Sequence, residues 1–72
     1  MLSFFKNRTR RVRTDDIAHQ LINIIGNDPV VLNIKEFIDE AQIREVIEAT
    51  GRLSGISIRA NVFQGRVFFH MD

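Results

Sequence analysis

The spacing of apolar side chains divides the chain into five segments. Ile17, Leu21, Ile24 and Ile25 recur at i, i+4, i+7 and i+8, one face of a helix. Thr14 before them is a natural N-cap, and Asp15 and Asp16 suit the positive end of the helix dipole. Gly26 offers a C′ residue and Pro29 bars the helix from resuming. The pattern predicts a helix from Asp15 to about Ile25. The β-branched run that follows predicts a strand over Val30 to Ile34, with Val30, Leu32 and Ile34 on one face and Val31 and Asn33 on the other.

Asp39 reads as the cap of a second helix whose buried side is Ile43, Val46, Ile47, Thr50 and Leu53. Its wet side holds Glu40–Arg44 and Glu48–Arg52 in the favourable i, i+4 order. Gly51 sits inside this pattern, where glycine costs ~1 kcal/mol relative to alanine, and Gly55 is a second stop. The remainder alternates as a hairpin turning at Gln64-Gly65. Ile56, Ile58, Ala60 and Val62 face inward on its first arm, and Val67, Phe69 and Met71 share a face on its second. The order α-β-α-β-β implies an α/β (α+β) two-layer sandwich, with both helices on one face of a small mixed sheet. The strand-helix-strand step implies a right-handed crossover and a parallel strand pair.

The sheet face away from the helices is expected to carry Val31, Phe63 and Phe68 beside Ser57, Arg59, Asn61 and His70. Large apolar groups on an uncovered face point to contact with another chain. Size argues the same way. A 72-residue domain buries only ~60% of the surface its unfolded chain exposes, and with no cysteine it has no disulfide to compensate. A homodimer or higher oligomer is expected, with Val31 and Phe68 in the self-association surface. Phe63, Arg59 and His70 are the candidate partner-binding residues.

Charge separates an N-terminal arm, residues 1–13, from a core domain, residues 14–72. The arm has five cations, Lys6, Arg8, Arg10, Arg11 and Arg13, and no anion, whereas the rest has five cations and nine anions. A cationic arm behind apolar Leu2, Phe4 and Phe5 fits an anionic membrane surface, with Leu2, Phe4, Phe5, Lys6, Arg8, Arg10 and Arg11 as the binding residues. Nucleic acid is the alternative target: phosphates would use the arginines, and the phenylalanines would have a role only by stacking on bases. A third reading folds Phe4 and Phe5 back onto the body as core. No apolar run approaches the ~20 residues of a membrane span, and the arm has the wrong order for a secretory signal. The expected location is cytoplasmic, peripheral at the inner face of the membrane.

Catalytic chemistry is not legible. The chain has no Cys or Tyr, and His19 and His70 lie far apart. No HxxxH spacing offers a metal site, and the four glycines fit no phosphate loop. The expectation is a non-enzymatic protein without a cofactor.

Residues 14–71 together resemble the core of the SepF family of bacterial and archaeal cell-division proteins. Pro29-Val30-Val31-Leu32-Asn33-Ile34, then Ala41, Arg44, Val46 and Thr50-Gly51, then Gly65 through Phe69 occur in the family's order and spacing. The family's long acidic linker between anchor and core, and its additional strands, have no counterpart here. The resemblance implies a self-associating adaptor that binds the C-terminal tail of the division GTPase FtsZ and tethers it to the membrane through an amphipathic N-terminal segment. It also implies a self-association surface on the second helix, at Gly51.

Overall fold

A computed structural model describes residues 2–72, with side chains described from Thr9 onward. The elements are α1 (Leu2–Ile24), β1 (Val30–Asn33), a 3-10 turn (Ile34–Glu36), α2 (Glu40–Ser54), β2 (Ile58–Phe63) and β3 (Arg66–Met71). This is the expected α-β-α-β-β order, an α+β fold. No helix of the described residues is long and apolar enough to cross a membrane.

The first helix is twice as long as its apolar stripe indicates. It starts at Leu2, runs through the basic segment and ends at Ile24. No glycine or proline precedes Gly26, so nothing in the backbone forces a break. Thr14 is therefore a mid-helix residue, not an N-cap. It is buried, and its hydroxyl donates to the Arg10 carbonyl one turn back at 2.8 Å. The buried stripe is Thr14, Ile17, Ala18 and Leu21, continued by half-buried Ile25, while Ile24 stays exposed. Gly26 follows the helix without adopting a left-handed conformation.

Asp39 caps α2 as expected: its carboxylate accepts the Gln42 N–H at 3.1 Å. Gly55 closes the helix in the left-handed conformation at φ 75°, donating its N–H to the Gly51 carbonyl. The buried face is rotated from the expected one. Gln42 and Ala49 are inside with Ile43, Val46 and Thr50, Ile47 is half-buried, and Leu53 is exposed. Arg52 does not bond Glu48 but reaches Asp15 on α1 at 3.0 Å.

The sheet is entirely antiparallel, in the order β1-β3-β2, so the expected parallel pair does not form. β3 lies between β1 and β2, which run in the same direction but never touch. The tight turn places β3 against β2 at once, and β3 then offers its other edge to β1. The turn residues Gln64 (φ 50°) and Gly65 (φ 74°) both adopt positive φ, the two-residue geometry that matches strand twist. β1 ends at Asn33, one residue early, because the Asn33 side chain accepts the Lys35 N–H and starts the 3-10 turn.

Phe69 at the centre of β3 is wholly buried, belongs to the same core cluster as Ile17, Leu21 and Val46, and packs its ring against Phe37 with centroids 6.0 Å apart. Gly51 is exposed, and a methyl group there would meet only the Ile56 carbonyl at 3.9 Å, an ordinary contact. Nothing among the described residues needs a glycine at this position. Gly51→Ala is expected to raise the stability of the protomer by up to ~1 kcal/mol in urea denaturation, through helix propensity. A lower midpoint at dilutions where the chain is monomeric would show that the site is tighter than its surroundings indicate.

Candidate interaction surface

Strand register determines which side chains share the sheet face turned away from the helices. Val31 pairs with Phe68, which pairs with Asn61 on its other side; Asn33, Arg66 and Phe63 form the adjacent row, and Arg59 lies opposite His70. Five of the sequence-predicted residues, Val31, Phe68, Phe63, Arg59 and His70, are thus brought onto one surface. Phe68 is central and half-buried among its neighbours, while Val31 and Phe63 are 45% and 63% exposed. Phe63 lies diagonal to Phe68 on this face, within reach of an aromatic side chain. The Asn61 amide and His70 Nε2 are 3.3 Å apart. At this end the face opens on a cavity of about 450 Å³ bordered by Asp28, Pro29, Arg59 and His70. Gly51 is on the opposite layer and is no part of this surface.

The basic segment, whose charge pattern suggests an external anionic target, is partly engaged by the body. Arg10 grips two carboxylates of the body. It bonds Asp39 in a two-pronged contact at 2.7 and 2.8 Å, and its Nε and terminal nitrogen hold Glu45 at 2.7 to 3.1 Å. Arg13 pairs with Glu36. Two of the arm's five cations are therefore committed to the fold, and Arg11 is exposed at a groove between α1 and α2. The side chains of Leu2, Phe4, Phe5, Lys6 and Arg8 lie outside the described residues.

Beneath Arg10 a polar cluster enters the helical layer, built on Gln42 and Thr14. The Gln42 side chain is completely buried. Its Oε1 accepts the Ile38 N–H at 2.7 Å, and its Nε2 donates to Thr14 Oγ1 at 3.1 Å and, more loosely, to the Arg10 carbonyl at 3.4 Å. No buried side-chain nitrogen or oxygen among the described residues is left without a partner. Sequence reasoning missed Gln42, since a glutamine beside the cap of a helix reads as surface. The only signal was its place three residues after Asp39, one position from the apolar Ile43.

Hydrogen bonding from Arg10 holds the Asp39 carboxyl below its ordinary range, and Asp39 followed by Glu45 pushes the Arg10 guanidinium further up. Among the described residues no three His, Cys, Asp or Glu side chains gather to hold a metal. Compared with protein-family models, curated proteins and solved structures, the chain matches none.

The depressed Asp39 fixes a sign for pH dependence. Its contribution is full above the unfolded-state value near 4 and is lost as pH falls through the lower folded value. Thermal stability is therefore expected to decline from about pH 4 downward. Asp39→Asn keeps a capping oxygen but removes the charge, so its melting temperature should fall at pH 7 and approach that of the parent at low pH. Parallel curves for the two proteins would show that the Arg10 pair contributes nothing.

Proposed function

We propose that this chain is a non-enzymatic, self-associating adaptor, like the SepF proteins whose core it resembles. Copies join through the open sheet face, a protein partner binds the body, and the start of α1 contacts an anionic membrane surface. The observation that carries this reading is the uncovered sheet: helices occupy one face only, and the other exposes Val31 and Phe63 around Phe68. Covering these groups would supply apolar burial that a chain of 72 residues lacks alone. By resemblance, the partner is the FtsZ tail and the location the inner face of the membrane.

The membrane contact rests on the sequence Leu2-Ser3-Phe4-Phe5-Lys6-Asn7-Arg8, which joins apolar anchors to cations at the start of a helix. The segment is continuous with α1, so it extends an existing helix where seven residues alone would be marginal. Arg10 and Arg13 are matched by carboxylates of the body, which withdraws them equally from the phosphates of lipid and of nucleic acid; the apolar Leu2, Phe4 and Phe5 are what favour the membrane.

Sedimentation velocity at micromolar concentration is expected to show a dimer or larger species, and Phe68→Asp a monomer with unchanged far-ultraviolet circular dichroism. A compact parent monomer would contradict the proposal. Phe4→Ala with Phe5→Ala should abolish co-sedimentation with anionic liposomes although all five arm cations remain. Binding that persists and fades only with rising salt would mark a purely electrostatic contact.

A further inference from the structure

We infer that the free edge of β2 is a docking site for an extended, alternating apolar and acidic segment of a partner protein, which adds to the sheet as a fourth strand. This deepens the adaptor reading by giving the partner a chemistry, and it rests on that reading only for the partner's existence.

Main-chain direction comes first. The two-residue turn closes on the Phe63–Arg66 pair, and the Ser57 carbonyl accepts the Asp72 N–H at 2.9 Å. Odd-numbered residues of β2 therefore aim their main chain at β3. Ile58, Ala60 and Val62 aim N–H and C=O outward, where no described residue bonds them. Natural edges of this length are usually blunted by proline, lysine or a bulge. β2 has none of these, and its one charge is Arg59. The other edge, β1, is four residues long and preceded by Pro29.

Side-chain chemistry then selects the occupant. On the helix side the edge borders a groove of about 430 Å³ lined by Ile43, Ile47, Ala60 and Val62 together with Glu40 and Arg44. An added strand would place alternate side chains there, and apolar ones fit. On the open face the strands present Arg59, Arg66 and His70, and the three strands contain no Asp or Glu. The intervening residues of an incoming strand are therefore best acidic.

A second copy of this chain suits the edge poorly. Antiparallel pairing of β2 with its own copy keeps the helices of both on the same side. Paired strands lie roughly 4.8 Å apart, whereas packed helix axes need roughly 8–10 Å, and each α2 packs on its own β2. A lone strand carries no helix and avoids that crowding.

The probe is an acetylated, amidated octapeptide of alternating valine and glutamate, with the valine–lysine peptide as control, titrated into the full chain and followed by NMR. Saturation with the acidic peptide should slow amide exchange at Ala60 and Val62 by about tenfold or more, and the basic peptide should not. Val62→Pro removes one outward donor and no ladder bond of the sheet, so it should fold and lose the effect. Arg59→Glu should weaken the acidic peptide and favour the basic one. Failure of both peptides to bind overturns the inference, as do shifts at Arg59 and Arg66 without protection at Ala60 and Val62. Protection that rises with protein concentration in the absence of peptide assigns the edge to a second copy and also overturns it. Sedimentation of the same sample reports separately on self-association, so failure of the docking site and failure of the adaptor reading are distinguishable.

Discussion

The helical layer depends on a polar junction beneath Arg10. Gln42 Nε2 donates to Thr14 Oγ1, whose own hydrogen goes to the Arg10 carbonyl, while Gln42 Oε1 takes the Ile38 N–H. One amide thus joins α1, the linker before α2 and α2 itself. A buried amide without partners would cost several kcal/mol, so this geometry is demanded by the fold and not merely permitted. The Arg10 guanidinium closes the junction from outside by holding Asp39 and Glu45. Asp39 is at once ion-pair partner and helix cap, so the start of α2 and the middle of α1 are set by the same group.

That junction explains why the basic segment belongs to the first helix. With Thr14 facing Gln42, the preceding turn must be helical for the Arg10 carbonyl to lie below the threonine hydroxyl. Arg10 and Arg13 then meet acids of residues 36–45. The division into a positive arm and a negative body, so plain in the sequence, becomes in part an internal contact. Among the described residues, the open sheet face and the β2 edge are left uncovered.

Much of the architecture was legible. Asp39 as cap, Gly55 as stop, Gln64-Gly65 as turn and the alternation of β2 and β3 are local signals, and each occurs as expected. Because register follows from alternation and a two-residue turn, the residues of the open face were legible too. The beginning of α1 was not, because Thr14-Asp15-Asp16 is a good N-terminal pattern whose override comes from residues over twenty positions away. Strand order escaped for the same reason: no local feature of β3 says that it will separate β1 from β2. Gln42 and Phe37 were hidden by their neighbours, polar Asp39 and Glu40 for one and charged Lys35 and Glu36 for the other.

The most direct test of this dependence is a double-mutant cycle on Thr14→Val and Gln42→Leu, read by urea denaturation. Each single change strands a buried group and is expected to cost ~1–3 kcal/mol. The double variant should cost less than the sum, with a coupling of ~0.5–3 kcal/mol and the helix content retained. Single variants as stable as the parent, or strictly additive losses, would contradict the claim that this one hydrogen-bonded pair fixes α1 on α2.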